Sequence, residues 1–259
     1  EWDELMHWVE VLGSRTIFIV EEMGRIVTQL LQSIRWAVYP PMGLRNILKQ
    51  MEAVGVNSIP VVLITALSTG MVLALQSYNG FRRFNAESLV GTVVSLSMTR
   101  ELGPVLTGLI VAGRAGAAMA AELGTMKVTE QIDALTTMAV NPIKYLIVPR
   151  VLAGLVMLPI LTIFADMTGI AGGYFVAVNI LDVNPVTYMR RTIDYLELAD
   201  VFGGLLKAGV FGIIIANISC YKGFHTEGGA EGVGKATTGA VVISSPGKCP
   251  NCCVQEASQ

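Results

Sequence analysis

Ser88–Pro142 reads SLVGTVVSLSMTRELGPVLTGLIVAGRAGAAMAAELGTMKVTEQIDALTTMAVNP, and its reading decides the fold. Twelve uncharged residues, Ser88–Thr99, lead to Arg100 and Glu101, and twelve more follow, Leu102–Gly113. Ser88–Gly113 is long enough to cross a bilayer, which takes about 20 mostly apolar residues. Its two formal charges fall at the middle, where a charge is costly in hydrocarbon and so faces protein or water. Beyond them runs a ladder of small residues at every fourth position: Gly108, Ala112, Gly116, Ala120 and Gly124. On a helix this ladder is a smooth stripe that lets another backbone approach closely inside lipid. Lys127–Val140 then turns polar and helix-compatible, and Asn141-Pro142 closes it. A membrane helix with a central ion pair, a packing stripe and a polar loop helix points to a transport machine.

Composition agrees. Hydrophobic residues make up 53% of the chain and charged ones 15%, against about 25% charged in soluble domains. With several long uncharged runs, 259 residues read as one integral membrane domain. A net charge of −2 gives no sign of nucleic-acid binding. Glu1–Ser14 lacks the basic-then-apolar order of a signal peptide.

The chain divides at residues 1–52, 53–243 and 244–259. In the first part, over residues 16–38, Ile19, Val20, Met23, Ile26, Val27, Leu30, Leu31, Ile34 and Val38 recur at helical spacing, with Glu21, Glu22, Arg25, Gln29, Gln32 and Arg35 mostly opposite. That pattern predicts an amphipathic helix in the membrane interface, ended by Tyr39-Pro40-Pro41. A short helix follows, with Leu44, Ile47, Leu48 and Met51 on one face. Four spans are predicted in the second part: Ala53–Phe81, Ser88–Gly113, Val151–Leu181 and Val201–Tyr221. Asp182–Asp200 reads as a polar connection, and Ser244–Gln259 as an atypical polar tail. With the N-terminus cytoplasmic, Lys and Arg outside the spans and tail divide eleven inside against four outside, which fits the positive-inside rule. The Arg114–Arg150 loop is then cytoplasmic, and four spans return the tail to the same side.

Arg100 and Glu101 point about 100° apart on a helix, so their partners lie elsewhere. Asp166 and Lys207, on two other predicted spans, are the candidates. The alternative is a polar network that only locks helices together. The Gly108–Gly124 ladder reads as packing, within one subunit or across a dimer. In KVTEQIDALTTMAV, Thr129 is expected to cap a helix from Glu130, with Ile132, Leu135 and Met138 on one face. Such a short helix between spans suits docking into a partner's groove, or it lies on the membrane.

Gly229–Lys235 nearly matches a phosphate-binding loop but has Ala236 where the magnesium-binding hydroxyl belongs. No nucleotide site is expected. Cys249 and Cys252 form a lone pair without the second pair or spaced histidines of a metal centre. Neither a metal, a cofactor nor a catalytic constellation is predicted, so the chain is not read as an enzyme.

LSMTRELGPVLTGLIVAGRAGAAMAAELG at Leu96–Gly124, TEQIDAL at Thr129–Leu135, MAVNP at Met138–Pro142 and GVGKATTGAVV at Gly232–Val242 together resemble the MlaE (YrbE) family. These are permease subunits of ABC systems that move phospholipid between bacterial membranes. The resemblance implies an all-α inner-membrane protein with an interfacial N-terminal helix and five spans, forming a homodimer with a lipid cavity between subunits. It implies that Thr129, Glu130, Gln131, Asp133 and Leu135 belong to a coupling helix on a cytoplasmic ATPase, where ATP is hydrolysed. It assigns Leu73, Tyr78, Phe81 and Phe84 to the cavity wall and mouth, and Arg100, Glu101 and Lys207 to intramembrane polar positions. A periplasmic MCE-domain protein and a STAS-domain protein are the other expected partners. Where family members enter a fifth apolar span, this chain reads SSPGKCPNCCVQEASQ. Two other readings remain: an ion- or proton-coupled secondary transporter with Glu101 and Asp166 as relay groups, and a scaffold that anchors a partner complex.

Overall fold

The computed structural model describes residues 2–37, 44–84, 89–226, 232–234, 236–238 and 240. The Tyr39-Pro40-Pro41 break, Ser88, most of the Gly229–Lys235 loop and the Ser244–Gln259 tail with its cysteines lie outside the described residues. All regular structure among the described residues is helical. Four helical segments are long and apolar enough to cross a membrane: Leu44–Phe81, Val90–Val128, Ile143–Asn179 and Leu198–Phe224. The chain is an all-α membrane protein.

Span 3 is the centre. Its main helix, α8 (Val148–Asn179), carries only Arg150 and Asp166 as charges, and both are buried. Most of this apolar helix is covered by its neighbours, while Phe164, Met167 and Phe175 stay exposed on its remaining face. Helix α3 (Ile59–Phe81) of span 1 and α10 (Leu198–Phe224), which is span 4, both pack on it. Glycines make the contacts possible. A Cβ on Gly70 would stand 1.9 Å from the Gly169 carbonyl oxygen, and one on Gly212 2.3 Å from that of Gly154. With little hydrophobic drive between helices in lipid, such backbone-to-backbone packing supplies the cohesion.

Span 2 consists of α4 (Val90–Ser97), α5 (Gly103–Val111) and α6 (Ala117–Val128), joined by π-helical turns at Met98–Leu102 and Ala112–Gly116. It therefore does not stop at Gly113. Arg114, taken as the start of the loop, stays in the helix and its Nη1 donates to Ser58 Oγ at 3.1 Å. The small-residue ladder continues the packing: Gly108 lies against Phe211, Gly116 against Ser219 and Ile215, and Gly124 against Thr226. The stripe thus packs within the subunit, on α10 and the residues just after it.

Helix α1 (Trp2–Ala37) turns a narrow, partly polar seam inward, with Glu22, Gln29 and Ser33 at least partly buried. Glu22 pairs with Lys222 at 2.5 Å, and Asn217 Nδ2 donates to the Ile26 carbonyl at 3.1 Å. Val20, Met23, Val27, Leu31 and Ile34 remain exposed on the opposite side, so the helix is two-faced. Helix α2 (Leu44–Val54) runs through a short 3-10 turn into α3.

The polar connection after span 3 also holds a helix, α9 (Pro185–Tyr195). Asn184 caps it by accepting from the amides of Val186 and Thr187, and Pro185 takes the first-turn position where its missing N–H costs nothing. Tyr188 and Thr192 are buried toward α4, and Val186, Met189 and Ile193 are exposed.

Candidate functional site

The π turn at Met98–Leu102 carries Arg100 and Glu101. Such turns insert a residue, break the i to i−4 ladder and often mark functional positions. Pro104 adds to the break, because it has no N–H for the Arg100 carbonyl. Lys207 of α10 fills the gap: its Nζ donates to Arg100 O at 3.1 Å and to Glu101 Oε1 at 2.5 Å. The Arg100 side chain reaches Asp200, with Nη2 2.7 Å and Nε 2.8 Å from Oδ1. Asp200 lies in the first turn of α10, where the helix dipole favours a carboxylate. Close approach of the two spans depends on Gly204, whose added Cβ would stand 2.2 Å from the Thr99 carbonyl oxygen.

Two expectations are corrected here. Arg100 and Glu101 do not lie mid-span. Span 2 runs on to Val128, so Arg100 is the eleventh of its 39 residues, near the end that begins at Val90. Nor is Asp166 a partner. Its Oδ1 is buried without a hydrogen bond, pressed against Gly103, while Asp200 takes Arg100. Sequence reasoning missed Asp200 because it read Asp182–Asp200 as connection, although an acidic residue beginning an apolar run is a helix-start signal.

The cluster is open on one side. Side chains of Arg100, Glu101 and Lys207 are 55%, 67% and 45% exposed, whereas Asp200 is 12% exposed. Apolar Leu198, Phe202 and Leu206 continue this exposed character along α10. Leu73, Tyr78 and Phe81 are half-buried nearby, packed on a cluster of Ala74, Val90, Val94, Met98, Val176 and Tyr188. The Phe84 side chain lies outside the described residues.

At the other end of spans 2 and 3 stands α7 (Gln131–Thr137). Thr129 does not cap it. Its hydroxyl donates backward to Thr125 O at 2.8 Å, and Glu130 begins the helix in the left-handed region at φ 58°. Nor do Ile132, Leu135 and Met138 share a fate: Ile132 is buried, Leu135 half-buried and Met138 exposed. The helix ends at Thr137, and Ala139 at φ 59° turns the chain away. Thr129, Glu130, Gln131 and Asp133 face outward, while Leu135 helps hold the helix on its own subunit. Among the described residues no cluster of His, Cys, Asp and Glu could hold a metal.

The description "Permease MlaE" matches residues 47–246. The chain belongs to the MlaE permease family. A "Probable ABC transporter permease protein" of Rickettsia bellii is 52% identical over 241 residues, 93% of each chain. The "Intermembrane phospholipid transport system permease protein MlaE" of Haemophilus influenzae is 35% identical over 244 residues, again 93% of each. "Protein TRIGALACTOSYLDIACYLGLYCEROL 1, chloroplastic" of Arabidopsis thaliana is 40% identical over 225 residues, 86% of this chain and 62% of the plant protein. This MlaE-family chain is thus a membrane permease subunit of the ABC type and not itself an enzyme. Its matched region takes in the π-turn cluster, α7 and all but the first residues of the four spans.

Proposed function

We propose that this permease moves phospholipid across or out of the bacterial inner membrane, as one half of a homodimer driven by a separate cytoplasmic ATPase. The observation that carries the reading is the exposed charge cluster at Arg100, Glu101 and Lys207. Charges this exposed on a membrane helix do not face hydrocarbon. They need a water-lined cavity, a second subunit or a lipid headgroup, and a cavity between two copies supplies all three. Leu73, Tyr78 and Phe81 are the proposed acyl-chain wall, and Arg100 and Lys207, which meet at the π turn, are the proposed phosphate contacts. The name of the Haemophilus relative supports phospholipid as the cargo. Thr129, Glu130, Gln131 and Asp133 form the proposed ATPase contact; an MCE-domain protein outside and a STAS-domain protein inside are its further proposed partners.

The ion-coupled reading has less support. Asp166 Oδ1 has no hydrogen-bond partner and Glu101 is engaged by Lys207, so nothing joins the two carboxylates as a relay. Affinity purification from membranes followed by native mass spectrometry tests the proposal. The expected species holds two permease copies, an ATPase and bound phospholipid. A lipid-free monomer without an ATPase would overturn it. Reversing charge with Glu130→Lys and Asp133→Lys should lower lipid-stimulated ATP hydrolysis while the permease itself stays folded; unchanged hydrolysis and assembly would sink the α7 contact.

A further inference from the structure

The inner ends of spans 2 and 3 are joined by a buried charge. Arg150 opens α8 with its side chain 3% exposed. Its Nη2 donates to Glu122 Oε2 of α6 at 2.8 Å, and its Nη1 to the Leu146 carbonyl at 2.8 Å. Leu146 belongs to a third π turn, Ile143–Ile147, where the chain returns from α7 into span 3. One residue before Arg150, Pro149 has no N–H to offer the Tyr145 carbonyl, and Asn46 Nδ2 of α2 donates to it at 3.2 Å. The first turn of span 3 is therefore fastened to span 2 by Arg150 and to span 1 by Asn46.

The other ties of α7 are softer. Ile132 sits among Leu123, Leu146, Ile147 and Val151, an apolar contact without direction. Lys127 and Asp133 bridge α6 and α7 at 3.0 Å on the exposed surface, where an ion pair holds weakly. Burying a guanidinium is costly, and well-packed apolar side chains would usually hold the same junction at least as firmly. A charge kept there needs a reason other than cohesion.

We infer that Glu122–Arg150 is a positioning strut, which makes the inner ends of spans 2 and 3 move as one body when α7 is displaced. The inference rests on the reading of α7 as the ATPase contact. Glu122 and Arg150 touch neither cargo nor nucleotide in this scheme. They act by holding the hairpin to which α7 belongs, so that displacement of a seven-residue helix becomes displacement of two spans instead of sliding over the Ile132 contact.

The test uses the complete complex in vesicles of phosphatidylethanolamine and phosphatidylglycerol with a trace of fluorescent phosphatidylethanolamine. Lipid moved and ATP hydrolysed are read together. Glu122→Gln with Arg150→Met replaces the pair by groups of similar size. A merely cohesive pair predicts that this variant melts and transports like the parent. A strut predicts normal assembly and hydrolysis, with lipid moved per ATP down roughly tenfold, inside the usual range for coupling between sites. Glu122→Gln alone, at an exposed position, is the second variant, expected to lower the same ratio and to be rescued by Glu122→Asp. A ratio equal to the parent's in both variants overturns the strut. Glu130→Lys with Asp133→Lys is run beside them. If that variant stays coupled and assembled, the α7 contact fails; if it uncouples while the Glu122 and Arg150 variants do not, the strut alone fails.

Discussion

Spans 2 and 3 break their helical ladders in the same way at opposite ends of the subunit. Each has a π turn, Met98–Leu102 or Ile143–Ile147, followed by a proline two residues on, Pro104 or Pro149. In each a freed carbonyl, that of Arg100 or Tyr145, accepts from a polar side chain of another span, Lys207 or Asn46. The two junctions differ in where they leave charge. The Arg100 junction has three charged side chains open to whatever lies beside the subunit, and the Arg150 junction seals its cation inside. One leaves its charges open at the subunit surface, the other ties two spans of the chain to each other. A shared backbone device therefore serves two ends.

Four changes break or sharpen that contrast, ranked by their effect on stability. Gly204→Ala comes first, since its Cβ would stand 2.2 Å from the Thr99 carbonyl oxygen. It should push α10 off the Met98–Leu102 turn at a cost of about 1–3 kcal/mol, seen as a lower melting temperature in detergent. Gly209→Ala on the same helix meets nothing nearer than 3.5 Å and should be neutral or stabilising by up to ~1 kcal/mol. Equal melting of the two would remove the close approach as the reason for Gly204.

Lys207→Met is next. It strands the Arg100 carbonyl and Glu101 together, and should destabilise by about 1–2 kcal/mol in a chemical melt, because an acceptor is left unpaired. A wild-type melt would show that water replaces the ammonium freely.

Glu101→Gln separates function from cohesion. Glu101 is well exposed, so its pair is worth about 0–1 kcal/mol, and salt should screen it while leaving the Arg150 junction unmoved. Transport should be lost with assembly normal. If transport persists and only stability falls, the cluster merely locks helices; a transport rate that varies with pH in the parent but not in the variant would favour the proton-coupled rival.

Tyr188→Phe should do least. Its hydroxyl is buried without a hydrogen-bond partner, so removing it leaves nothing stranded, and the melting temperature should stay within about 1 °C or rise. Burial raises the Tyr188 pKa from 10.0 to about 12. The folded state therefore keeps its proton longer than the unfolded chain does, and the associated stability is full below pH 10 and lost as pH climbs to about 12. The parent should lose ground to the phenylalanine variant across that window, and parallel pH profiles would contradict the burial.

What the amino-acid order determined by itself is what periodicity and composition control. Four apolar runs, the Gly108–Gly124 stripe, the two-faced α1 and the polar hairpin around α7 all follow from short-range patterns. Helix α9 reads only as a polar connection, although Asn184-Pro185 and the spacing of Val186, Met189 and Ile193 carry its signal. Only the tertiary structure decided which charge meets which. Arg100 finds Asp200 one hundred residues away, and Arg150 finds Glu122 across the α7 hairpin. Neither pairing has a local pattern, because it depends on how far a span extends and where glycines let backbones touch. The π turns were hidden for a related reason. One inserted residue shifts every later side chain by about 100°, which an apolar run tolerates silently, and only contacts with neighbouring spans fix the place where the shift occurs.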